Sequence, residues 1–174
     1  CPVYELIRAG ANVAIVTDGT APDRSYDLWR DMKVFHVIHR LHEQDGTLAP
    51  PGMILEMCTR KPAKAIGMED QIGSLEVGKK ADIILVDMLQ PHMVPSHIMP
   101  VPRIVYHAQG QDVTTVIVDG EVMMENRKLV GCDEARILAD ADRALAELFE
   151  RMGPEKVKPL LREDGIYDIQ LKKY

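Results

Sequence analysis

No apolar run in this chain approaches the roughly 20 residues that a helix needs to span a bilayer. Positive charge is not in surplus either: 21 Lys and Arg stand against 27 Asp and Glu, a net charge of −6. Nucleic acid and anionic membranes both demand a basic face, so no nucleic acid and no membrane is expected as the main partner. Cysteine is scarce. Cys1, Cys58 and Cys132 form no metal-knuckle spacing, and an odd count suits free thiols in a reducing compartment better than a disulfide framework. A cytoplasmic location is the expectation. Internal repeats and low-complexity tracts are missing, which excludes a repeat array. An initiator methionine is missing as well, because the chain begins at Cys1 with no signal or transit peptide ahead of it. The expectation is a processed chain or a piece of something longer.

What is present is an ordinary globular mixture. Of 174 residues, 46% are hydrophobic and 28% charged, enough for one domain with a sizeable core or for two small ones. Residues 3–9, VYELIRA, read as a short helix ended by Gly10. The next run, NVAIVT, is apolar and β-branched, as in parallel strands buried on both faces, and it ends in Asp18. Ser25 or Asp27 can cap a helix to about Glu43, with Leu28, Met32, Phe35, Ile38 and Leu41 at helical spacing on one buried face. Helices through Ile54–Cys58 and around Pro62–Ile66 follow, and then a strand at Asp82–Val86. The four prolines between Gln90 and Pro102 predict loop or edge. Two strands joined by Asp119-Gly120 predict a hairpin, with more strand at Leu129-Val130. An amphipathic helix is predicted from Asp133 to about Met152.

Four of these segments resemble one family. GSLEVGKKADIILVD (Gly73–Asp87) is similar to a segment near the C-terminus of amidohydrolase-superfamily enzymes. MCTRKPAKAIGM (Met57–Met68) resembles the helix that precedes it there, and VTTVIVDGEVMMENRKLV (Val113–Val130) the closing hairpin. NVAIVTDG (Asn12–Gly19) resembles the end of the eighth barrel strand. The branch most similar is the cytosine-deaminase-like and triazine-hydrolase-like one. The resemblance implies an α/β fold: the C-terminal piece of a (β/α)₈ TIM barrel, strands of a small composite β-sandwich, and a C-terminal helix. Residues 1–70 would be the last strand and helices of the barrel, 71–131 the sandwich portion, and 132–174 a helix and tail returning to the barrel.

The same resemblance implies the chemistry. Residues at the C-terminal ends of barrel strands face the active site, and in the family the aspartate matched by Asp18 is a metal ligand or near-ligand that also shuttles a proton. Asp18 is therefore the expected catalytic and metal residue, and on spacing alone it can equally be a turn residue beside Gly19. Asp23 and Arg24, in the loop TAPDRS, are the expected substrate contacts, with solvated loop charges as the alternative. That loop lacks the family's usual asparagine, and Val16 stands where the family often has glycine. The implied cofactor is a divalent metal, zinc or iron, since a His/Asp site does not decide between them. The implied reaction is hydrolysis of C–N or related bonds in a nitrogen heterocycle, a small-molecule substrate. The family's HxH pair and later histidines are absent, so this chain alone is expected to be inactive. A half-barrel with open strand edges would be relieved by a homo-oligomer. The small cytidine-type zinc deaminases are excluded, since neither HxE nor PCxxC occurs. A non-catalytic β-rich binding or structural module is the alternative.

His36, His39 and His42 lie at i, i+3 and i+6 of one helix. Three residues per step drift by about 60° each time, so packed or surface histidines are expected rather than a metal site. No chemistry is expected of His92 and His97.

Overall fold

A computed structural model describes residues 1–19 and 25–158. The chain forms two compact units, Cys1–Val130 and Gly131–Tyr174. In the first, α1 spans Val3–Arg8 and Gly10 follows with φ +83°, as a left-handed helix stop requires. Helix α2 spans Leu28–Glu43. Of the two candidate caps it is Asp27 whose carboxylate accepts from the Trp29 amide, at 3.0 Å. The helix ends at Gln44 in the left-handed conformation, before Gly46 is reached. Helices α3 (Pro51–Cys58), α4 (Arg60–Ala65) and α5 (Pro100–Tyr106) follow. Helices α2, α3 and α5 pack on one another, around a core of Val3, Ile15, Met32, Ala49, Ile54, Met57 and Val105.

Three expectations need correction here. Residues 12–17 do not form a parallel barrel strand. The Ile15 amide donates at 2.9 Å to the Met57 carbonyl at the end of α3, and a helix end offers no ladder for a strand to extend. Ile15 is nonetheless buried in the core, as the apolar run foretold. Secondly, the proline-rich stretch contains the start of α5. Pro100 and Pro102 occupy its first turn, where a missing N–H costs nothing. Thirdly, the apolar stripe of α2 is buried only in its first half: Met32 is 3% exposed, whereas Ile38 is 54% and Leu41 77% exposed. Val34 and Val37 are also open, so an apolar face of α2 is left without cover among the described residues.

The strands form one antiparallel sheet of order β1-β2-β3-β4: Ile83–Val86, Val113–Val118, Glu121–Glu125 and Lys128–Leu129. Asp119-Gly120 turns the β2–β3 hairpin, with both residues at positive φ. Ile84 pairs with Val116, Val116 with Met124 and Met124 with Leu129, so an apolar row crosses one face of all four strands. No second sheet lies over this row among the described residues. The outer edge of β1 is likewise unpaired there. Gly73, φ +90°, lets the preceding loop cross α4. A Cβ there would lie 2.8 Å from the Ala63 Cβ and 3.0 Å from the Thr59 carbonyl oxygen, so only glycine fits without displacing backbone.

In the second unit, α6 spans Glu134–Met152, capped by the Asp133 carboxylate on the Arg136 amide at 3.0 Å. Ile137, Leu138, Leu145 and Leu148 are all exposed on it. A short α7, Pro154–Val157, closes the described part.

Candidate active site

Asp18 sits at the end of the segment that carries Ile15 into the core. Its own side chain is exposed, and Oδ1 accepts from the Gly19 amide at 2.6 Å. Asp18 is thus an exposed carboxylate three residues after a buried anchor, Ile15. Asp23 and Arg24 lie outside the described residues. Where the chain re-enters, Ser25 Oγ accepts from the Asp27 amide at 2.9 Å. Asp27 in turn does two jobs: Oδ1 caps α2, and Oδ2 accepts from the Gly110 amide at 3.3 Å. Asp27 therefore ties the start of α2 to the 3₁₀ turn Gly110–Asp112 that leads into β2.

The three α2 histidines occupy three different surroundings. His36 Nδ1 lies 3.2 Å from the Ala49 carbonyl, and its ring packs on Tyr106. The ring of His39 packs between Phe35 and Tyr4. His42 points to solvent beside Glu43. Burial lowers the pKa of His36 and of His39 below the ordinary histidine value. A folded-state pKa below the unfolded one means that the unfolded chain takes up protons which the folded chain refuses. The stabilising contribution is whole above the unfolded value, about 6.5, and shrinks as pH falls below it. Urea unfolding midpoints should therefore drop as pH falls below about 6.5, and a His36→Gln/His39→Gln variant should flatten that slope. An unchanged slope in the variant would refute the assignment.

His92, which sequence reasoning left without a role, has a buried partner. Its Nε2 lies 2.8 Å from Oδ2 of Asp112, which is 2% exposed and also accepts from the Gln109 amide at 2.8 Å. The Asp112 carbonyl accepts from the Asp87 amide at the end of β1, also at 2.8 Å. Nothing in residue type or spacing marked Asp112, because its burial depends on contacts across 20 residues of chain. Cys58 is no nucleophile in this setting: burial first, and the nearby Asp31 carboxylate second, push its thiol up to about 12.

A second feature was missed altogether. Asn12, Arg60, Lys61, Lys64, Glu69 and Lys79 line much of an open cleft of about 530 Å³. Asn12 Nδ2 donates to the Lys61 carbonyl at 2.9 Å, and Lys79 Nζ donates to the Glu69 carbonyl and to Ser74 Oγ at 2.5 and 2.7 Å. The available signal was the grouping of Arg60, Lys61 and Lys64 on one helical turn.

A zinc site needs three or four protein ligands. Among the described residues, no group of three or more His, Cys, Asp or Glu side chains is placed to hold a metal ion. The described residues therefore complete no such site.

Comparison with known proteins gives this geometry a context. A model described as the amidohydrolase family matches residues 1–123. A 5'-deoxyadenosine deaminase of Methanosarcina acetivorans is 41% identical over 150 residues, which are 86% of this chain and 34% of that protein. A 5-methylthioadenosine/S-adenosylhomocysteine deaminase of Desulforudis audaxviator is 40% identical over 149 residues, with 86% and 34% covered. Among solved structures, an adenosine deaminase from Xanthomonas campestris with bound zinc matches with a TM-score of 0.78 and 32% identity, over 82% of this chain and 32% of that one. An atrazine chlorohydrolase from Arthrobacter aurescens complexed with zinc matches with a TM-score of 0.72 and 28% identity, over 82% and 31%. The chain spans about a third of the length of the curated relatives it matches.

Proposed function

We propose, since the chain belongs to the amidohydrolase family, that it is the C-terminal portion of a metal-dependent hydrolase that deaminates an adenosine-type nucleoside or a related nitrogen heterocycle. The observation that carries this reading is Asp18, exposed three residues after the buried Ile15, within a stretch that the family model matches. In this reading Asp18 is one metal ligand and the remaining donors come from outside this chain. Zinc is the expected metal. When bound, it would supply a water acidic enough to react at neutral pH. The work of this chain is then to hold a proton on the Asp18 carboxylate and hand it to the departing amine. Residues 12–17 gain ladder partners when the rest of the barrel is present. The apolar row Ile84–Val116–Met124–Leu129 gains a second sheet, and the open face of α2 gains a neighbouring element. A homo-oligomer would cover further apolar surface, and a cytoplasmic setting suits the three free thiols.

The test is an ammonia-release assay with adenosine, 5'-deoxyadenosine and 5-methylthioadenosine. The chain alone should release none, and the complete protein carrying the other two thirds, loaded with zinc, should deaminate at least one. A complete, metal-loaded protein that is silent on all three would sink the nucleoside reading. Steady turnover by the chain alone would refute its expected inactivity.

A further inference from the structure

The cleft between Asn12, helix α4 and the loop before β1 has no part in the hydrolase reading, because Asp18 does not line it. Its cations differ in how they are engaged. Lys79 is committed to Glu69, Ser74 and Glu76 and acts as a pin for the loop. Arg60 sits 3.6 Å from Glu56 in an exposed pair, the kind that contributes little and exchanges partners readily. The ammonium groups of Lys61 and Lys64 take no hydrogen bond or ion pair among the described residues. They project from one turn of α4, three residues apart and so on the same side. Two uncommitted ammonium groups with an available guanidinium beside them match a dianion, and a phosphomonoester carries about −1.5 to −2 at neutral pH.

The remaining lining narrows the ligand. A cleft of about 530 Å³ is in the size range of small-molecule sites and holds far more than a phosphate group. Glu56 and Glu69 supply carboxylates along its wall, suited to hydroxyl donors. No aromatic side chain lines it, so a nucleobase would find no ring on which to stack. We propose that this cleft binds a phosphorylated polyhydroxy compound of the sugar-phosphate class, with Lys61 and Lys64 on the phosphate and the acidic wall on the hydroxyls.

Titration of the full chain with ribose 5-phosphate, beside ribose and inorganic phosphate, tests this by calorimetry or by amide shift changes at residues 60–64. Ribose 5-phosphate should bind with a Kd of about 1 mM or tighter, and ribose alone should not. Inorganic phosphate should bind about tenfold more weakly, having no hydroxyls for the acidic wall. A Lys61→Gln/Lys64→Gln variant should lose at least about tenfold in affinity, with an unaltered circular dichroism spectrum. If the double variant misfolds, Lys64→Gln alone should lose about threefold. No binding at about 10 mM, equal binding of phosphate and ribose 5-phosphate, or affinity indifferent to both lysines would each overturn the assignment.

Discussion

Asp18→Asn in the complete, metal-loaded protein is expected to lower kcat by about 10²–10⁴-fold. Asparagine keeps an oxygen that can accept from the Gly19 amide, now 2.6 Å from Oδ1, so the local turn survives. It can neither carry a negative charge to a metal nor hold and release a proton. Because the Asp18 side chain is exposed, the same change should alter the unfolding free energy of the chain by no more than about 0.5 kcal/mol. The two readouts separate the roles. A large kcat loss with unchanged stability is the signature of a reacting carboxylate. A flat kcat would make Asp18 a turn residue beside Gly19 with no part in the chemistry. Asp18→Glu adds a control, since it retains charge and proton capacity while moving them by one methylene.

The largest stability effect is expected at Asp112. Its carboxylate is buried and accepts from both His92 Nε2 and the Gln109 amide, so Asp112→Ala removes two hydrogen bonds to a charged acceptor and leaves a small void. A hydrogen bond to a charged group contributes about 1.5–3 kcal/mol when buried, and less where a partner reaches water. A loss of about 2 kcal/mol in urea unfolding is therefore expected for Asp112→Ala. His92→Ala should lose less, because the carboxylate keeps the Gln109 amide. A double-mutant cycle between the two should show coupling of at least about 1 kcal/mol. Additive effects, or a loss below about 0.5 kcal/mol for Asp112→Ala, would show that the pair contributes nothing to holding β1 to the 3₁₀ turn.

Which features could be read from the residues, and which could not, follows from the range of the interactions that create them. The Asp27 cap, the Gly10 stop and the Asp119-Gly120 hairpin are local, each decided within a few residues, and each formed where chain chemistry placed it. The burial of Ile15 was legible because an apolar β-branched run must go inside whatever its secondary structure. Its failure to become a strand was not legible, since a strand exists only with a partner, and the nearest backbone acceptor is the end of a helix. Ile38 and Leu41 taught the same lesson from the other side: helical spacing shows which residues share a face, while contact alone shows whether that face is covered. Asp18 was nominated through resemblance alone, whereas the His92–Asp112 pair and the cleft at Arg60–Lys64 arise from contacts between distant segments. Pro100 and Pro102 were misread because proline opens a helix as readily as it breaks one, and its position within the helix decides which.

The open edge of β1 has a consequence for how the chain behaves at high concentration. Four apolar residues with unpaired backbone groups are a template for edge-to-edge aggregation. The flanks work against it. If two copies of Ile83–Val86 paired antiparallel in full register, Ile83 would face Val86 and Asp82 would face Asp87 of the other copy, at both ends of the ladder. Like charges directly opposite each other on adjacent strands are destabilising. The Asp82 carboxylate is fixed in place by the Asp119 amide at 2.7 Å and that of Asp87 by Leu89, Gln90 and Arg127, so neither can swing clear without breaking bonds. The two aspartates act as gatekeepers: they discourage the strand from recruiting its own kind into fibrils while leaving the edge open to a strand of different sequence.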